Sequence, residues 1–329
     1  MRLTHAALTS AAFAAALSLH LAAQTRKPAY RAPRTAWGAP DLHGDYTNKD
    51  EANTPLERPE QLAGKDVNSF SEADLAQLAR DRSALAQRIA GGIGGAETGA
   101  GPTHWYDHLA AKGSRPWFIV DPPDGRLPAM TPQAQRREAS IALLNDARNG
   151  EGLADSFEQR SMYDRCITRG LPGSMMPAIY GNAYRIVQTP DTIAIQYEMI
   201  HETRLVSLDR RPHVGGHLHL LLGDARGHFE GDTLVVETTN FTNRTHFGYN
   251  NRYNSEREKI TERFTPIAPG KLDWQVTIDD PDVWTRPWTF AMTLTRDDSS
   301  PIFEYACHEG NYGLRDILSG ARAEDGRLR

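Results

Sequence analysis

Glu198, His201, Arg204, His213, His217 and His219 lie close together within the stretch from Ala183 to Asn240. A carboxylate, an imidazole and a guanidinium meeting at one turn form the set that moves a proton beside a bound carboxylate or enolate oxygen. In that scheme Glu198 and His201 transfer the proton, while Arg204 and His213 hold an anionic or carbonyl oxygen. The competing reading is structural: Glu198, Arg204 and Asp209 form an ion-pair network that closes the turn. His217 and His219 are two residues apart, which on a strand places both imidazoles on one face. With His201 from a neighbouring strand they would make a three-histidine zinc site with one open position, against the alternative of two exposed strand histidines. Farther along, CHEGNYG gathers His308, Glu309, Asn311 and Tyr312, and His308 becomes a third candidate for proton transfer.

The runs that must position these groups are short, rich in Ile, Val and Thr, and alternate in polarity. In TIAIQYEMI one face carries Ile193, Ile195, Tyr197 and Met199 and the other Ala194, Gln196, Glu198 and Ile200. The same parity groups Val235 with Glu237 and Glu304 with His308. Strands are expected near 183–189, 192–200, 203–208, 217–222, 232–239, 257–265, 271–279, 286–295 and 301–307, with no helix between them. That pattern predicts a mainly-β chain, an antiparallel β-barrel with an N-terminal extended and helical region packed on it. If the polar alternates face a wet lumen, Glu198, Glu237, Glu304 and His308 line it with Tyr197 near, and a carboxylate in such a cavity has a raised pKa suited to acid/base work.

The opening MRLTHAALTSAAFAAALSLHLAAQ has one early cation and an apolar, alanine-rich run ending on small residues, the pattern of a secretory signal over residues 1–23. Residues 24–175 are then read as an arm and helices wrapping the barrel, and 176–329 as the barrel with a short C-terminal helix of one or two turns. Ser71 with Asp74 predicts one helix start, Thr131 with Pro132 a second, and Ser156 with Gln159 a third. GGIGGAETGAG follows a helix instead of joining a strand to one, so it fails the structural test for a phosphate-binding loop. It reads as a flexible loop or lid whose aromatic tip, Trp105, closes over substrate, or as a loop whose aromatics pack on the body. With 37 basic against 42 acidic side chains and no long basic run, nucleic acid is disfavoured as a partner, and after the signal no window is apolar enough for a membrane span. In an oxidising compartment Cys166 and Cys307 are expected to pair, the alternative being a catalytic thiol beside His308.

The segments GLPGSMMPAIYGNAYRIVQTP, RLVSLDRRPH, LGDARGHFEGDTLVVETTNF, TIDDPDVWTRPWT and FEYACHEGNYGL resemble those of a family of secreted bacterial proteins abundant in soil bacteria. His201, His213 and His308 belong to the shared pattern, whereas His217, His219 and His228 depart from it. The resemblance implies export and no particular reaction. More loosely, the barrel is similar to lipocalin-like barrels, which include ligand carriers and lyases. The expectation is a periplasmic or secreted lyase or hydrolase acting without cofactor on a small polar, aromatic or sugar-derived substrate. The alternatives are a non-catalytic ligand-binding barrel and a zinc-dependent hydrolase using His201, His217 and His219.

Overall fold

Alternation gives most of the strands one apolar face, and nine strands bury that side by curling until first and last meet. The computed structural model describes residues 30–92, 106–110, 112–146, 154–247 and 252–327; the expected signal segment, most of the glycine-rich loop and Trp105 lie outside them. The strands in chain order are β1 (Gly44–Thr47), β2 (Ile119–Asp121), β3 (Ala183–Gln188), β4 (Thr192–Tyr197), β5 (Thr203–Ser207) and β6 (Asp224–Glu230). They continue with β7 (Thr233–Thr239), β8 (His246–Phe247), β9 (Arg252–Tyr253), β10 (Lys259–Ala268), β11 (Lys271–Asp279) and β12 (Trp288–Arg296). The barrel runs β1-β3-β4-β5-β6-β7-β10-β11-β12 and closes where Tyr46 pairs with Arg296 and Thr47 with Thr295. The short β2 takes the other part of the β12 edge, through Thr289 and Phe290.

The expected barrel is therefore present, with three corrections. Residues 217–222 form no strand: Asn240 donates its amide to the carbonyls of Val214, Gly215 and Leu218 and folds the segment into a loop. That loop brings the chain back across the barrel, so β6 enters parallel to β5, pairing Val206 with Ala225 and Ser207 with Arg226. Gly227 suits this seam, since a Cβ there would stand 2.8 Å from Val206 Cγ1 and 2.9 Å from Leu208 Cδ2. Residues 301–307 are not a strand either. The β12 edge is taken by β11 on one side and by β1 and β2 on the other, so closure leaves no free edge for another partner. The third correction lies in the segment read as an outer arm, which supplies β1, the stave that shuts the cylinder.

Inside, the barrel is packed solid. Ile186, Ile193, Ile195, Val206, Leu234, Val236, Ile260, Val276 and Leu294 fill it together with Tyr184, Tyr197, Phe264, Trp274, Trp288 and Phe290. Trp274 meets Phe290 edge-on at 5.5 Å, and Tyr184 meets Tyr197 in the same way at 6.1 Å. The expected wet lumen is absent because the apolar alternates took the inside and most polar ones the outside. One charged pair is enclosed: Arg204 faces Glu262, 3% and 0% exposed, with Nη2 donating to Oε1 at 3.1 Å and Nη1 to Oε2. Trp274 Nε1 donates to the same carboxylate at 3.0 Å.

The helices α1 (Glu72–Gly92) and α2 (Pro132–Asp146) start as expected. Ser71 and Asp74 cap the first reciprocally, and Thr131 Oγ1 accepts from Ala134 N–H at the second. The third expected helix is only a single turn at Phe157–Gln159. The C-terminal helix α3 (Gly313–Arg327) is longer than the one or two turns expected. Among the described residues no helix is long and apolar enough to cross a membrane. Residues 112–121 run along the β12 edge, Phe118 O accepting from Ala291 N–H at 2.9 Å and Ser114 Oγ from Thr293 Oγ1 at 3.0 Å.

Glu258 is 6% exposed, and its Oε2 has no hydrogen-bond partner among the described residues. Burial first and the neighbouring Asp280 second push its pKa well above the ordinary carboxyl value. An unfolded chain gives up this proton near pH 4.3, so stability falls as pH rises from there until the buried group itself ionises. Glu258→Gln is expected to flatten that slope, raising the urea midpoint at about pH 8 and leaving it nearly unchanged at about pH 4. Equal midpoints for variant and parent at both values would show that Glu258 does not hold its proton.

Candidate functional site

The strand ends at one rim of the barrel carry a cavity of about 590 Å³. Its floor is built where Thr47, at the end of β1, pairs with Ala183, at the start of β3, and Glu198 follows directly on β4. Tyr180, Gly181, Phe303 and Tyr305 form the walls, and Lys49, Asp107, Glu198 and Asp297 bring charge to it. A volume of this order suits a small ring compound with a few polar groups.

Glu198 sits in a strained turn. Ile200 and His201 have φ of 63° and 46°, two successive left-handed residues of which one is β-branched. Such conformations cost about 1–3 kcal/mol each and persist where surrounding contacts over-determine them. Here His201 N–H donates to Glu198 O at 3.0 Å, and Tyr197 N–H to Glu202 O at 2.8 Å. Half-buried, Glu198 accepts from Ala183 N–H at 3.2 Å. Burial pushes its pKa up; the Ala183 N–H opposes this, and the nearby Asp107 carboxylate adds to it. Asp107 is held by Asn182 Nδ2 at 3.0 Å. Lys49 pairs with Asp297 at 2.8 Å, and that hydrogen bond holds the ammonium pKa above its usual value and the carboxyl pKa below.

Tyr180 and Tyr305 stack with centroids 6.3 Å apart and a 20° tilt, and burial raises the Tyr305 phenol. The segment bearing Tyr305 has no strand or helix of its own and is fastened from outside. A disulfide joins Cys166 to Cys307, Cα to Cα 5.7 Å, as expected. His201 Nδ1–H donates to Tyr305 O at 2.8 Å, which leaves the neutral ring's Nε2 as its basic nitrogen.

Of the residues expected to carry chemistry, Glu198 lines the cavity and His201 touches its wall from an exposed position. His308 is exposed in the turn beyond Cys307, and with no strand there it shares no strand face with Glu304, also exposed. Arg204 and Tyr197 point into the packed interior instead of the rim. His213 Nδ1–H donates to Asp224 Oδ2 at 2.9 Å, away from the rim cavity, and Glu237 pairs on the surface with Lys259 at 2.7 Å. His219 Nδ1–H donates to Phe241 O at 2.9 Å, and His217 is exposed in the same loop. Among the described residues no three His, Cys, Asp or Glu gather as a metal site, so His201, His217 and His219 do not converge. Lys49, Asp107, Tyr180, Asp297 and Tyr305 were not singled out from sequence. Tyr180 and Tyr305 do lie in two of the quoted motifs, PAIYGN and FEYACHEG, the first beside turn residues and the second in a run expected as a strand.

Compared with known proteins, the chain matches no family model, no curated protein and no solved structure.

Proposed function

We propose that the protein is a lyase or hydrolase for a small polar, aromatic or sugar-derived compound, working by general acid/base catalysis in the rim cavity. The observation that carries this is Glu198, a carboxyl with raised pKa on a strained turn, facing a cavity it shares with Asp107 and a tyrosine stack. Protonated Glu198 donates to a leaving or carbonyl oxygen, and Lys49 offsets negative charge developing nearby. Tyr180 and Tyr305 offer a ring platform. The proton that Glu198 gives up is restored from solvent once product leaves, by way of the Nε2 of the exposed His201. The Cys166–Cys307 bond supports placing this work in a periplasm or outside the cell, where disulfides persist.

Screening against plant phenolics and glycosides, with mass spectrometry of products, identifies the substrate. Glu198→Gln is then expected to lower kcat/KM about a hundredfold or more with the fold intact. Because the acid form is the active one, the parent's rate falls as pH rises through the folded pKa of Glu198, and the variant's residual rate loses that limb. Unchanged turnover in Glu198→Gln sinks the assignment. A second reading, ligand binding without turnover, is favoured by one fact: of the three proton-transfer candidates only Glu198 lines the cavity. Saturable binding with no product, equal in parent and variant, would decide for it.

A further inference from the structure

A second groove, of about 490 Å³, lies between α2, residues 158–162, the loop leading to β8 and Tyr253 of β9, and shares no lining residue with the rim cavity. Three arginines from three separate stretches line it: Arg137, Arg160 and Arg244. Bringing like charges into one concavity is unfavourable unless an anion offsets them, and a concave wall focuses their field on whatever enters. Glu158, exposed, is the only carboxylate among the described lining residues.

Two of the guanidiniums are fixed in advance. Arg137 lies 4.6 Å from the Tyr253 ring centroid and donates to Asn243 O at 3.4 Å. Arg160, its side chain 17% exposed, pairs with Asp164 at 3.1 Å. Arg244 is exposed and makes no ion pair among the described residues, while its backbone N–H donates to Thr242 Oγ1 at 3.4 Å. Ser161 Oγ accepts from Asp164 N–H at 3.0 Å, leaving its own proton to give. Forked donors held this way match a tetrahedral oxyanion better than single ammonium groups do. The groove is larger than a bare oxyanion needs, and Ile141, Met162 and Tyr253 give it an apolar side.

We propose that this groove binds a small phosphate or sulfate monoester, the oxyanion between Arg137, Arg160 and Arg244 and the organic part on Ile141, Met162 and Tyr253. It is independent of the chemistry assigned to the rim. The test is calorimetric titration of the full chain at low ionic strength with phenyl phosphate, phenyl sulfate, inorganic phosphate and inorganic sulfate. At least one ester is expected to bind saturably and about tenfold more tightly than its free ion, and which ester binds better names the head group. Arg137→Ala with Arg244→Ala is expected to weaken that binding about tenfold or more without lowering the melting temperature appreciably. Arg244→Gln, which removes no ion pair, keeps the test valid should the double variant unfold, and it too should bind measurably more weakly. Absence of saturable binding, equal affinity for ester and free ion, or parental affinity in Arg244→Gln overturns the proposal.

Discussion

Replacing Arg204 by methionine is expected to lower the free energy of unfolding by about 3–5 kcal/mol, because it leaves Glu262 charged, buried and half satisfied. Burial alone works against a charge on Arg204, but the facing Glu262 carboxylate more than offsets it and the guanidinium pKa is raised, not lowered. Both partners are virtually without solvent, so water cannot replace a missing one. The Trp274 N–H that remains on Glu262 satisfies only part of it. Replacing both, Arg204→Met with Glu262→Leu, removes the stranded charge along with the pair and is expected to recover most of the loss. Guanidinium denaturation of the two single variants and the double variant gives the coupling directly. A single variant within about 1 kcal/mol of the parent would mean that the pair is solvated or already neutral.

Removing the Cys166–Cys307 bond should cost as much or more. The bridge spans 141 positions and encloses every strand from β3 to β12. In the chain-entropy account, a closure of that size restricts the unfolded ensemble by about 5 kcal/mol. The bond also anchors residues 300–307, which wall the rim cavity, so Cys166→Ser with Cys307→Ser should loosen ligand binding as well as stability. The measurement is the denaturation midpoint of the double variant beside the parent, both under non-reducing conditions. An unmoved midpoint would refute the staple role. Loss of stability with ligand affinity intact would confine it to the barrel.

Much of the barrel was legible because parity is a local property. Ile193, Ile195 and Tyr197 share a face in the sequence and share the buried face in the fold. What parity does not state is which side of a closed sheet that face takes; reading the polar alternates as lumen-facing moved the site inward, when the interior had enough aliphatic and aromatic volume to fill itself. Arg204 shows a further limit. In TRLVS the neighbouring Leu205 looks like the core residue, yet Leu205 is 64% exposed and Arg204 is 3%. The reason is Glu262, 58 positions away, and no local pattern announces a partner so distant. The strand β6 escaped notice for a related reason: DARGHFE lacks alternation, and its place is set by the loop before it and by Gly227 against Val206. At the site, Glu198 was found from its type and its turn, whereas Lys49, Asp107 and Asp297 come from stretches that meet only when β1 closes on β3 and β12.

That closure also orders events in time. The stave at residues 44–47 is made early and one neighbour, ending at Arg296, very late, so a growing polypeptide emerges with an unfinished rim for most of its synthesis. Contacts this far apart in sequence form slowly. The cylinder is accordingly unable to shut until nearly the whole polypeptide exists, and the edge of β1 that β12 will cover waits unpaired until then.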